Sequence, residues 1–174
     1  GHRNPQGLYY DINSNLILET EHGPNGGDEL NLINNNDKIS NYGWPVSSYG
    51  EHYEGTIKQH KNNNSYDNLI KGAPLHKSHK KYGFIEPLKD WTPAIGISQI
   101  IKVNNNFREE LKNDYWVAAM GNNIPEGDMS IHHLRYSKDF RNLEFEDKIV
   151  VNERVRDLIY IDDNNIIILV LENT

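Results

Sequence analysis

Gly1-His2-Arg3-Asn4-Pro5-Gln6-Gly7-Leu8, Glu21-His22-Gly23-Pro24-Asn25-Gly26-Gly27-Asp28-Glu29-Leu30-Asn31-Leu32 and Asn41-Tyr42-Gly43-Trp44-Pro45 are three polar clusters rich in glycine and proline, separated by short apolar runs. Leu8-Tyr9-Tyr10 and Leu16-Ile17-Leu18 flank Asp11-Ile12-Asn13-Ser14-Asn15, a turn-forming stretch between two apolar runs, which predicts a β-hairpin. A hairpin this short returns the second cluster to the end of the strands where the first begins. Arg3, Asn4 and Gln6 are therefore expected to face the Gly23-Pro24 turn across a small gap. Leu30-Asn31-Leu32-Ile33 predicts the next strand. Adjacent side chains on a strand point to opposite faces, so Asp28 and Glu29 are not expected to act as a pair.

Working outward, Gln99–Val103, Tyr115–Met120 and Ser130–Tyr136 read as successive strands of one sheet, and Asn165–Leu171 as a final strand. On a strand through Arg154-Val155-Arg156-Asp157 the two arginines, at i and i+2, project to one side. Residues 46–90 form a long polar insertion, with Lys, Asn, Ser and His concentrated between Lys58 and Lys81. Segments of this length without regular structure are commonly functional or disordered. His52, His60, His76 and His79 have no metal-ligand spacing, and His76 and His79 lie in a basic run that repels cations.

Composition removes several function classes. The net charge is -7, opposite in sign to a nucleic-acid footprint. No apolar run approaches the ~18 residues of a membrane span. There are no cysteines, which excludes disulfides and thiolate chemistry. Asn triplets at 34–36, 62–64 and 104–106 are unevenly spaced and make no repeat.

The phrases HRNPQGL, EHGPNGGDELNL and NYGWP, followed in order by Arg154-Val155-Arg156-Asp157, resemble the soluble pyrroloquinoline-quinone-dependent sugar dehydrogenases, the glucose, aldose and sorbosone dehydrogenase type. The resemblance implies an all-β fold, a six-bladed β-propeller of four-stranded antiparallel blades. One blade takes roughly 40–50 residues, so residues 1–174 are expected to form a single incomplete propeller domain of about three blades from the C-terminal half. Open blade edges are then expected to favour self-association.

By the same resemblance, Arg3, Asn4, Gln6, Arg154 and Arg156 contact the quinone, with Asp157 orienting the arginines. A guanidinium suits a ligand carrying three carboxylates, because it binds such planar anions through paired hydrogen bonds. Backbone carbonyls of Gly23 and Pro24 would hold a Ca2+ ion that also binds the quinone. Asp28, Glu29 and the Tyr42 carbonyl would hold a second, structural Ca2+, an oxygen-only donor set that suits this ion. Glu86–Ser98 resembles a family loop near the cofactor, which makes Trp91 and Ser98 candidates, although Ala94, Gly96 and Ile97 depart from its pattern. Gly121 stands where several family members carry a lysine that pairs with a cofactor carboxylate, and Asn122 or Asn123 could compensate.

The family's general-base histidine lies upstream of residue 1, so His2 and His22 read as hydrogen-bonded structural residues. The expected function is a quinoprotein sugar dehydrogenase, periplasmic or secreted. It would oxidise an aldose at the anomeric carbon by hydride transfer to calcium-bound pyrroloquinoline quinone and pass electrons to an external acceptor, with residues 1–174 alone inactive. Two alternatives stay open: a non-catalytic recognition propeller and a calcium-dependent lactonase-like hydrolase.

Overall fold

The computed structural model describes residues 1–12, 14–34, 39–51, 77–103 and 114–172. The hairpin forms as expected, from β1 (Pro5–Asp11) and β2 (Leu16–Glu21), and β3 (Asp28–Asn34) pairs with β2. A short β4 (Lys89–Trp91) completes a four-stranded antiparallel sheet in the order β1-β2-β3-β4. The second sheet runs β5 (Ile97–Val103), β6 (Asp114–Ala119), β7 (Ser130–Tyr136) and β8 (Leu143–Val150), each paired with the next. A third, of β9 (Val155–Ile161) and β10 (Ile166–Leu171), has two strands. Among the described residues, the architecture is thus two complete blades and a two-stranded portion of a third. Sequence reading missed β4 and β8. Lys89-Asp90-Trp91 is too short to show a period, and the mixed run Leu143-Glu144-Phe145-Glu146-Asp147 reads as surface because β8 is an exposed outer strand.

β1, β5 and β9 open their sheets and pack side by side, β1 on β5 and β5 on β9. Two cores fill the spaces between sheets. Leu18, Leu30, Ile95, Ile100, Val117 and Leu134 belong to the first; Val103, Ala118, Ile131, Val155 and Leu158 belong to the second. The strand period explains the sharing. Tyr115, Val117 and Ala119 of β6 point into one core and Trp116 and Ala118 into the other, so β6 is buried throughout. A bulge between Ile97 and Ile100 shifts the phase of β5, which lets both residues face the first core while Ile101 and Val103 face the second.

A line of buried hydroxyls ties the sheets together at one end. Thr20 Oγ1 donates to the Ser98 carbonyl at 2.5 Å, and Ser98 Oγ donates to the Val155 carbonyl at 2.6 Å. β1 can approach β5 closely because residue 7 is glycine; a Cβ there would lie 2.7 Å from the Ser98 carbonyl oxygen. No helix among the described residues is long and apolar enough to cross a membrane. His52, His60 and His76 lie outside the described residues, as does most of the 46–90 insertion.

Candidate functional site

The hairpin brings the first two sequence clusters together. Pro5 pairs with Glu21, and a bulge before Gly7 breaks the ladder there and re-aims Asn4 and Gln6. The Asn4 carbonyl accepts the His22 amide at 3.1 Å. Gln6 Nε2 donates to Asn4 Oδ1 at 3.1 Å. Across from them lie Arg154, just before β9, and Arg156 within it. Asn4, Gln6, His22, Gly121, Arg154 and Arg156 line one open cavity of about 310 Å3. His22, read as structural from sequence, is therefore on the cavity wall, with its Nδ1 3.6 Å from Asp28 Oδ1.

The two arginines are held by a residue the sequence reading overlooked. Glu172 Oε2 accepts from Arg156 Nη2 at 2.8 Å and from Arg154 Nη2 at 3.4 Å. Asn122 Oδ1 accepts from Arg154 Nη1 at 3.1 Å, so this amide positions a guanidinium instead of facing the cavity alone. Asp157, expected to orient the arginines, instead accepts the Leu158 amide. A register shift in the β9–β10 pairing at Arg156 breaks the two-residue period there, so that Val155 and Leu158, three apart, both enter the second core. Glu172 follows β10 directly, and antiparallel pairing of β9 with β10 is what returns it to Arg154. A lone acid after an apolar strand gives no sequence signal of this.

Arg3 is turned away from that cavity. Its Nη1 donates to the His22 carbonyl at 3.0 Å, and its guanidinium lies 5.3 Å from the Trp44 ring centroid. It borders a neighbouring crevice of about 10 Å3 together with Glu21, Gly23, Glu29, Tyr42 and Ser47, which is room for about one water or small ion. The Gly23-Pro24-Asn25-Gly26-Gly27 loop is packed backbone to backbone on residues 49–51. A Cβ on Gly27 would lie 2.1 Å from the Gly50 nitrogen, and one on Gly23 2.1 Å from the Gly26 carbonyl oxygen. Asn25 and Glu51 exchange both backbone hydrogen bonds, at 3.1 and 2.9 Å.

Asp28 and Glu29 part company as their positions on β3 dictate. Asp28 accepts backbone amides of Gly23, Ile95 and Ile97 at 3.1, 3.1 and 2.9 Å, stitching the loop to the entry of β5. Asp28 and Glu29, which the resemblance assigns to one ion, thus face opposite sides of β3. Glu29 joins an acidic cluster on the other face, where cross-strand register places Glu19 opposite Asn31 and Glu21 opposite Glu29. Asn31 Nδ2 is shared among Glu19, Glu21 and Glu29 at 3.2, 3.0 and 3.4 Å. His2 Nδ1 stands 3.1 Å from Glu21 Oε1, and its ring stacks on Tyr42 at 4.3 Å. His79 Nε2 lies 3.4 Å from Glu29 Oε1.

All three carboxylates are at most 5% exposed. Burial, with Glu21 close by, raises Glu19 to about 7 and Glu29 to about 8. The hydrogen bond to Glu21 raises His2 above its ordinary value. Glu19 Oε1 and Asn31 Oδ1 are buried with no hydrogen-bond partner. Orphaned acceptors, clustered acids and a crevice for one small ion fit a hard divalent cation.

Trp91 and Ser98 are not brought to the cavity. Trp91 is 7% exposed in the first core, and its Nε1 donates to His132 Nδ1 at 3.3 Å. His132 Nε2 in turn donates to the Gly127 carbonyl at 2.9 Å. Burial lowers the His132 pKa, consistent with the neutral ring this pattern needs. Ser98 is spent on the link between sheets. At Gly121 a Cβ would lie 2.1 Å from Asp128 Oδ2, so the Asp128 carboxylate fills the space a side chain would take.

A family model described as glucose/sorbosone dehydrogenase matches residues 1–174. An uncharacterised protein of Synechocystis sp. is 33% identical over 173 residues, covering 99% of this chain and 36% of that protein. The aldose sugar dehydrogenase YliI of Escherichia coli K12 is 47% identical over 55 residues, 32% of this chain and 14% of the relative. Quinoprotein glucose dehydrogenase B of Acinetobacter calcoaceticus is 56% identical over 50 residues, 28% of this chain and 10% of the relative. A glucose dehydrogenase crystal structure superimposes with a TM-score of 0.76 at 27% identity, over 98% of this chain and 42% of that one. The soluble aldose sugar dehydrogenase of E. coli in its apo form gives 0.75 at 23% identity, over 99% and 43%. The chain therefore spans about two fifths of these structures.

Proposed function

Because the chain belongs to the glucose/sorbosone dehydrogenase family, we propose that it carries part of the cofactor cradle of a quinoprotein sugar dehydrogenase, periplasmic or secreted. The observation that carries the reading is the convergence of Arg154 and Arg156 with the amides of Asn4 and Gln6 on one cavity. Two guanidiniums beside two primary amides suit a planar polyanion bearing carboxylate and carbonyl oxygens. Pyrroloquinoline quinone is such a molecule, and when bound it would accept the hydride of an aldose.

Arg154 and Arg156, aligned by Glu172 and Asn122, would bind its carboxylates. Asn4 and Gln6 would donate amide hydrogens to its remaining oxygens. Gly23 and Pro24, pinned by Asp28 and by residues 49–51, would offer backbone carbonyls to a Ca2+ next to His22, which borders both the cavity and the small crevice. Glu29 and Tyr42 would serve a second Ca2+ at the small crevice, with Glu19, Glu21 and Asn31 completing the oxygen donors on that face. Arg3 supports the cradle by holding the His22 carbonyl. With Gly121 in place of a cation, the fit leaves Arg154 and Arg156 as the cationic side chains on the cavity wall.

The test is titration of pyrroloquinoline quinone with Ca2+ into the protein, followed by tryptophan quenching and by dye-coupled aldose oxidation. Saturable binding that weakens at least tenfold in Arg156→Ala supports the reading. No saturable binding at micromolar quinone sinks it. One observation favours a recognition module instead, the bare backbone of Gly121 backed by Asp128; the absence of saturable quinone binding would select that alternative.

A further inference from the structure

The far ends of the same strands enclose a second, larger cavity. β1, β5 and β7 carry it about 20 Å from the Arg154–Arg156 wall, the length of a seven-residue strand. It lies between the first two sheets and has a volume of about 470 Å3, inside the ~300–1,000 Å3 of small-molecule sites. Tyr115, Tyr136 and Phe140 form one wall, with the Phe140 ring centroid 5.7 Å from Tyr115 and 5.8 Å from Tyr136.

The polar side is built from closed ion pairs. Lys102 Nζ donates to Asp11 Oδ2 at 2.7 Å, and Arg135 grips Asp114 through Nε and Nη2, both at 2.7 Å. Asp11 is 3% exposed and Asp114 fully buried. Lys138 and Glu144 add one charge of each sign at the rim. The lining is therefore charge-balanced, and its buried acids already have their cations.

The tip of the β7–β8 hairpin carries the second observation. Phe140 has φ 58, in the left-handed region. Asparagine and glycine occupy such turn positions readily, whereas a bulky aromatic is an outlier there. The turn is fixed by Phe140 N–H to the Ser137 carbonyl and Ser137 N–H to the Asn142 carbonyl, both at 2.8 Å, and by Ser137 Oγ to Asp139 Oδ1 at 2.7 Å. The strained backbone sets the ring between the two tyrosines. Strain kept by surrounding structure concentrates at ligand-holding positions.

We propose that this distal cavity binds a neutral saccharide. A pyranose has C–H faces for the Tyr136 and Phe140 rings and hydroxyls that both donate to carboxylates and accept from ammonium and guanidinium groups. An anionic ligand would meet cations that are already neutralised, so charge selects against it. The site is independent of the redox reading, since it shares no residue with the quinone cavity.

The experiment is calorimetric titration of the protein, free of quinone and in EDTA, with maltose, glucose and gluconate. Saturable binding of the neutral sugars with no detectable gluconate binding is the expected result. Phe140→Gly relieves the left-handed backbone and loses the ring's packing on the first core, so it should remain folded with a cooperative unfolding transition while binding at least tenfold more weakly. Arg156→Ala should bind sugar as the parent does. The proposal is overturned by an absence of saturable sugar binding, by gluconate binding as well as glucose, or by loss in Arg156→Ala with retention in Phe140→Gly. None of these outcomes bears on quinone affinity.

Discussion

Removing divalent cations should make the protein lose stability as pH rises from 6 to 8.5. The perturbation acts on Glu29, which is held at about 8 in the folded chain against an ordinary value of 4.5. A carboxyl raised on folding favours the folded state while it is protonated in both states. That advantage is lost as pH climbs from 4.5 through about 8. From linkage, the loss from Glu29 between pH 6 and 8.5 is about 2–3 kcal/mol. Glu19, raised to about 7, acts in the same direction, as does His2, whose raised pKa also favours its protonated form when folded. Because these groups share Glu21 and Asn31, their contributions do not simply add, and Glu29 alone sets the expected scale. For a chain of this size that corresponds to a fall of roughly 5–10 °C in Tm. The assay is thermal unfolding by circular dichroism at both pH values, in EDTA and in millimolar Ca2+. A Ca2+ ion held by these acids would need them deprotonated, so added calcium should restore stability most at pH 8.5. Glu29→Gln should remove more than half of the pH dependence in EDTA. An EDTA-treated protein as stable at pH 8.5 as at pH 6 would refute the reasoning, and an undiminished slope in Glu29→Gln would remove Glu29 from it.

Three further perturbations separate binding from architecture. Asp28→Asn replaces an acceptor of two amides by a donor; it should cost about 3 kcal/mol in urea unfolding, in line with lost charge-assisted bonds, and speed hydrogen exchange at Ile95 and Ile97. Glu172→Ala frees both cavity arginines and should weaken quinone binding by about tenfold, or about 1.4 kcal/mol, while the urea midpoint moves little because Glu172 is only partly buried. Trp91→Phe removes the bond to His132 and should lower stability by about 1 kcal/mol, with quinone affinity unchanged since the ring is in the core.

Much of the site was legible because local rules fix it. The hairpin from Leu8 to Leu18 dictates that residues 3–6 meet residues 22–24, and the two-residue strand period puts Arg154 and Arg156 on one side. What could not be read depended on distant partners. Glu172 reaches Arg156 only because β10 folds back on β9. Arg3 lies beside the cavity instead of in it because the His22 carbonyl and the Trp44 face, both set by tertiary packing, capture its guanidinium. Trp91 sits in a motif-like loop, yet the missed strand β4 turns its ring inward. Phe140 carried no signal at all, since a left-handed φ is invisible in a sequence with no glycine at that position.

The register of β3 links these features. Asp28 and Glu29 are neighbours with opposite tasks, one tying the Gly23–Gly27 loop to β5, the other feeding the acidic face. A slip of one residue in the β2–β3 pairing would exchange them. Asp28 would then join Glu19 and Glu21 in the acidic face, and the amides of Ile95 and Ile97 would be buried without acceptors. Leu30 and Leu32 would turn out of the first core at the same time, and Asn31 would enter it. The apolar pattern that fixes the register therefore also assigns the carboxylates. The geometry around the cavity is held by the same Leu18 and Leu30 packing that joins the first two sheets. Burying three acids on one sheet face is unfavourable in isolation. Here the core enforces it, and the burial raises Glu19 and Glu29 well above the usual carboxylate range.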